Sequence, residues 1–98
     1  MFVRIIKTYR DVVAICDANL IGKKFEEGKF QLDVKENFFK GQKTSEEELI
    51  DIIKNESIED ATFNIIGKKS VNAALKAGIV SEEEIRKIQG IPFVLILN

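Results

Sequence analysis

Apolar residues fall in short runs along this chain, and the period within each run predicts the element it forms. Residues 2–8 and 12–17 are rich in β-branched side chains and are separated by Tyr9-Arg10-Asp11, which predicts a hairpin. Val12, Val13, Ala14, Ile15 and Cys16 are apolar without a break, so the second strand is expected to be covered on both faces. Residues 18–28 break the pattern and read as a loop or a single helical turn. Phe30, Leu32 and Val34 then alternate with Gln31, Asp33 and Lys35, the period of a half-exposed strand. Residues 37–43 read as a connector anchored by Phe38-Phe39.

Helical spacing begins at Ser45. Ser45-Glu46-Glu47-Glu48 is a capping box, in which a serine hydroxyl and a glutamate carboxylate satisfy each other's backbone amides. Leu49, Ile52 and Ile53 supply the buried stripe of a helix ending near Asn55. Residues 61–66 read as a strand, and residues 67–77 as a helix with Val71, Ala74 and Leu75 on one face. Gly78 stands where a left-handed helix terminus is expected. Ser81-Glu82-Glu83-Glu84 repeats the capping box, with Val80 and Ile85 spaced as a hydrophobic staple, and predicts a third helix. The final strand, 91–97, is apolar on both faces and tolerates Pro92 at its beginning. The order is βββ–α–β–α–α–β. It predicts one α+β domain over residues 1–98: a mainly antiparallel sheet, the N-terminal hairpin and final strand central, with about three helices packed on one face.

Composition agrees with that picture. In 98 residues, 45% are hydrophobic and 32% charged, which suffices for one core and leaves no room for a second domain. The longest apolar runs, 12–16 and 93–97, fall far short of the ~20 residues of a membrane helix, so no membrane association is expected. Arg4 and Lys7 interrupt the opening stretch, which is therefore not expected to be a signal peptide. One cysteine excludes an internal disulfide framework and suits a reducing cytoplasm. The formal net charge is −1, but its distribution is uneven. Residues 1–44 carry nine basic and six acidic groups, residues 45–60 one and seven, and residues 61–98 five and three. Acid is thus concentrated in one helix and its exit, and the remainder is mildly basic. The abundance of Ile, Lys and Glu is thermophile-like, a cast that genome base composition also produces.

Histidine and tryptophan are absent. A Ser–His–Asp triad, a Cys–His dyad and the usual zinc sites therefore cannot be built from this chain alone. Lysine- or carboxylate-based catalysis and an all-oxygen cation site stay open, but no motif supports either, and the inventory leans away from an enzyme. No catalytic residue, cofactor or metal ligand set is expected. Cys16 is adjacent to Asp17, which would raise its pKa, and reads as a buried structural thiol.

Val13-Ala14-Ile15-Cys16-Asp17, Leu20-Ile21-Gly22-Lys23 and Phe25-x-x-Gly28 resemble the opening of a small archaeal family, domain of unknown function 424. Ala61-x-x-Asn64-Ile65-Ile66-Gly67, with Ser70-Val71, Ala74, Ala77-Gly78 and Val80, resembles its second half. The resemblance covers nearly the whole chain. It implies an archaeal, cytoplasmic protein whose relatives sit beside translation genes, and carries no activity, catalytic residue or cofactor.

Two segments share an Ile-Gly-Lys-Lys core, at Ile21 and at Ile66. Gly67-Lys68-Lys69-Ser70 lies at a predicted strand-to-helix turn, where free amides, a helix dipole and two lysines suit a phosphate. The alternative is a glycine turn capped by Ser70 or Asn64 with solvated lysines. Gly22-Lys23-Lys24 with Phe25 is a basic loop on which a base would stack, unless Phe25 is a core plug. Phe38-Phe39 is a partner patch if exposed. Two functional classes follow. The first is an RNA- or translation-associated binding module, its partner an RNA or a translation-related protein, using Lys23, Lys24, Lys68, Lys69 and Arg10. The second is a protein-interaction or structural module, a homodimer through a sheet edge or the Phe38-Phe39 patch.

Overall fold

The unbroken apolar run at 12–16 forms the strand on which the molecule is built. In the computed structural model, which describes residues 1–97, β1 (Phe2–Ile6) and β2 (Val12–Cys16) make the expected antiparallel hairpin, with Phe2 opposite Cys16 and Ile6 opposite Val12. A single 3-10 turn at Ala18–Leu20 leads into a second hairpin, β3 (Lys24–Glu27) and β4 (Phe30–Asp33), which is a separate two-stranded sheet. A four-residue helix, α1 (Glu36–Phe39), and a two-residue strand, β5 (Gln42–Lys43), precede the long helix α2 (Glu46–Ile58). Then come β6 (Thr62–Ile66), α3 (Lys68–Ala77), β7 (Arg86–Ile88) and β8 (Ile91–Ile96). The main sheet has the order β5-β1-β2-β6-β8-β7. Only β2 and β6 are parallel, with Val12 opposite Thr62 and Cys16 opposite Ile66; every other pair is antiparallel.

Strand alternation gives each face of this sheet its own core. Val3, Val13, Ile15, Phe63, Ile65 and Val94 face α2 and α3, packing on Leu49, Ile53, Val71 and Ala74. Phe2, Ala14, Cys16 and Ile66 face the other way, onto Leu20, Leu32, Val34 and Phe39 from the 3-10 turn, the small hairpin and α1. Each fully buried Leu or Ile here contributes about 1.5–3 kcal/mol. β2 is covered on both sides, as its apolar run predicts. Two of the helices, α2 and α3, lie on the predicted single face; α1 lies on the opposite one.

Three local expectations are corrected. The stretch 18–28 holds the single helical turn but also the strand β3, and the 37–43 connector contains most of α1 and all of β5. The third helix does not form. Ser81-Glu82-Glu83-Glu84 makes only one 3-10 turn, in which the Glu84 carboxylate accepts from the Ser81 amide and hydroxyl, each at 3.0 Å. Arg86–Ile88 then runs as a strand beside β8. The two-residue connection has positive φ at both Gln89 (51°) and Gly90 (76°), the geometry of a tight hairpin. Too few residues separate the box from this turn for a helix to present a stripe, so strand pairing wins. None of the helices among the described residues is long and apolar enough to cross a membrane.

Candidate functional site

Because β2 and β6 run in parallel, the residues that follow them, Asp17 and Gly67, emerge side by side; the Asp17 amide donates to the Ile66 carbonyl at 3.0 Å. Gly67 has φ of +113°, and a Cβ built on it would stand 2.3 Å from Asp17 Cγ. Glycine is required there on both counts. The close approach brings the Asp17 carboxylate onto the first turn of α3. Its Oδ2 accepts from the Lys69 amide at 3.1 Å, and its Oδ1 accepts from the Ser70 amide and hydroxyl, each at 2.8 Å. Asp17 is 8% exposed and Ser70 fully buried. An aspartate from the end of a neighbouring strand thus caps α3, in place of the local Ser70 or Asn64 cap the sequence suggests. The carboxylate also lies at the positive end of the helix dipole.

A cleft of about 480 Å³ opens over this capped turn, lined by Met1, Asp17, Ala18, Asn19, Leu20, Gly67, Lys68, Lys69 and Ile91. It lies off the carboxyl ends of the parallel pair, where parallel strands commonly place a ligand. Lys68 and Lys69 are exposed on its rim. Lys23 and Lys24 are exposed too and follow the 3-10 turn that supplies Ala18, Asn19 and Leu20, but they do not line the cleft. The two Ile-Gly-Lys-Lys segments differ in structure, since the first enters a strand and the second a helix. Arg10 is in the β1–β2 turn, at the far end of β2 from Asp17, so it does not share this surface. None of these five cations forms an ion pair among the described residues.

The other candidates are structural in their surroundings. Phe39 is buried against the sheet, and Phe38 is half-buried with its ring edge-on to Phe39, centroids 5.0 Å apart. The pair pins α1 to the sheet. Phe25 packs under the small hairpin as a plug; the exposed ring of that hairpin is Phe30, which the sequence reading assigned to a strand and nothing more. Cys16 is fully buried, and burial, then the neighbouring Asp17, pushes its thiol up to about 11. At the end of the molecule that holds Arg10, Lys7 Nζ is 2.9 Å from Asp11 Oδ2 and holds that carboxyl below the usual range. Burial and then the Asp11 contact raise Glu56. Among the described residues no three His, Cys, Asp or Glu side chains converge as metal ligands would.

Sequence reasoning missed Asp17 as the cap of α3, because its partners Lys69 and Ser70 are 52 and 53 positions away. An aspartate directly after an apolar strand was the available signal, and it names no partner.

A family model described as Protein of unknown function (DUF424) matches residues 6–98. Among solved structures, the chain is similar to that of an uncharacterized conserved protein from Methanopyrus kandleri. That match has a TM-score of 0.84 and 24% identity, and spans 99% of this chain and 92% of the other. It shows the same fold. No curated protein shows a match to this chain.

Proposed function

We propose that this chain, which belongs to the DUF424 family, is a binding module for single-stranded RNA, meeting phosphates with Lys68 and Lys69 at the cleft and with Lys23 and Lys24 beside it. The observation that carries this reading is the charge balance of the cleft. Its one lining carboxylate, Asp17, is engaged by two amides and a hydroxyl, while both lysines on the rim are exposed and unpaired among the described residues. The same geometry argues against a small phosphorylated metabolite, because two of the α3 amides that would cradle a single phosphate, those of Lys69 and Ser70, are already spent on Asp17. What is left is flexible ammonium groups, which follow a phosphate backbone as point charges without fixing one group.

The test is RNA binding against salt. Four phosphates neutralised here on a single strand contribute about −3 to the log–log slope, and replacing Lys23, Lys24, Lys68 and Lys69 together by glutamine abolishes binding to mixed-sequence RNA. Melting stays almost unchanged, because solvated surface charges contribute little. Arg10→Gln, at the other end of β2, leaves binding as it was. Failure of the parent to bind at low salt, or binding that survives the quadruple change, overturns the reading.

The open half of β8 supports a second reading, a homodimer. β7 pairs only with Ile91–Phe93, so beyond Phe93 the outer edge of β8 has no partner strand. Leu95 and Leu97 are 54% and 72% exposed there, with no charge in 91–97 to guard the edge. Antiparallel pairing of this edge with its own copy gives an isologous dimer. Sedimentation equilibrium reads it: a dimer in the parent that Leu95→Lys turns monomeric supports this reading, and a monomer at all concentrations removes it.

A further inference from the structure

A second cleft, of about 380 Å³, lies between the tip of the small hairpin and the β7 edge, lined by Glu27, Phe30, Ile85, Arg86, Lys87, Ile88 and Phe93. Its composition differs from that of the first. Phe30 is 72% exposed, an uncommon state for an aromatic ring, and it opens the β4 strand directly opposite Glu27. Arg86 and Lys87 are exposed and form no ion pair among the described residues, and Lys29 is exposed at the hairpin tip. The one carboxylate that lines it, Glu27, accepts from the Gln89 amide at 2.9 Å. The Gln89 side chain also donates to the Glu26 carbonyl at 2.6 Å, which fastens the hairpin tip to the β7–β8 turn and holds Phe30 over the cleft.

A held, exposed ring beside unpaired cations is the arrangement on which a nucleobase stacks while its phosphates are neutralised. We propose that Phe30, with Arg86 and Lys87, is a base-stacking subsite for single-stranded nucleic acid. It rests on the RNA-binding reading of the first cleft and extends it to a second point of contact. The two clefts share β8: Ile91 lines one and Phe93 the other, two residues apart on one face, about 7 Å along the strand. A single strand laid across β8 places phosphates at Lys68 and Lys69 and a base on Phe30. Positive charge and an aromatic platform together favour this ligand over a peptide, which would need a hydrogen-bonding edge or an apolar anchor pocket.

Because tryptophan is absent from the chain, Phe30→Trp installs a single indole as reporter while keeping an aromatic surface. Its fluorescence is expected to be quenched by a mixed-sequence RNA 12-mer and to stay unchanged with an abasic oligomer of the same length. Phe30→Ala is expected to weaken the RNA roughly 5-fold or more at an unchanged salt slope, and to leave the abasic oligomer's affinity as it was. Arg86→Gln with Lys87→Gln should flatten the slope by about 1.4. If Lys68→Gln with Lys69→Gln abolishes RNA binding while Phe30→Ala and the indole signal show no effect, the function stands and the stacking subsite falls. No RNA binding by the parent removes both. An indole that responds to polyglutamate and not to RNA makes the cleft a peptide site and overturns the proposal. Equal weakening of both oligomers by Phe30→Ala also overturns it.

Discussion

Gly67 and Asp17 meet so closely that neither tolerates a change of size. An alanine at Gly67 must adopt a positive φ and push a buried carboxylate aside. Gly67→Ala is expected to cost about 2–4 kcal/mol in urea denaturation, combining overpacking with backbone strain. Asp17→Ala leaves the Lys69 and Ser70 amides and the Ser70 hydroxyl without their acceptor, at about 2–3 kcal/mol. The capping box at Ser45 was legible in the sequence because both partners lie within four residues. The Asp17 cap was not, since local rules cannot pair positions that only the fold brings together. Cys16 shows the same division: its burial and the influence of Asp17 both follow from the strand pattern. Its thiol, held up to about 11, should resist labelling in the native protein and react readily in denaturant. In the unfolded chain this thiol loses its proton from about pH 8.5. The native state keeps it until about 11, so stability should fall as pH rises through that window, and Cys16→Ser should flatten an alkaline melting profile.

At the scale of elements, two identical Ser-Glu-Glu-Glu signals have different outcomes. At α2 the Glu48 amide donates to Ser45 Oγ at 3.2 Å, and the Glu48 carboxylate accepts from the Ser45 amide at 3.2 Å. Ser45→Ala should therefore cost about 1 kcal/mol. The second box closes a turn of three residues with no helix behind it, so Ser81→Ala should stay within about 0.5 kcal/mol. Parallel thermal melts of the two variants separate these outcomes. A capping box reports where a helix is able to start, and the distance to the next turn decides whether one follows. The exit of α2 carries a pH dependence. Glu56 titrates above its ordinary value, first through burial and then through Asp11, so the native state holds a proton that the unfolded chain has released. Stability consequently declines as pH rises above about 4.5, the usual glutamate range. Glu56→Gln should raise the Tm at pH 7 and leave it nearly unchanged at pH 4.

For the whole molecule, the α+β class and the antiparallel majority were readable, because short alternating runs with turn signals between them admit little else. Strand order was not. Nothing local says that β2 seeks β6, or that the hairpin 24–33 forms its own small sheet over the second face. The site was legible to a similar depth: Lys68 and Lys69 stand at the cleft, while Arg10 was grouped with them by charge alone and lies at the other end of β2. The parallel ladder at the centre of the sheet also sets how the chain reaches this structure. Val12 pairs with Thr62 and Cys16 with Ile66, so each rung closes a loop of 50 residues, whereas the rungs of β1–β2 close 6 to 14 and those of β7–β8 close 3 to 7. Loop-closure entropy delays the long rungs, and the two outer hairpins are free to form before the middle joins them. In stopped-flow refolding, Ile5→Ala in the first hairpin should slow folding. Ile65→Ala in β6 should act mainly by speeding unfolding. Until β6 docks, the uncharged edge of β2 stands open, and it is there that a folding intermediate would recruit another chain.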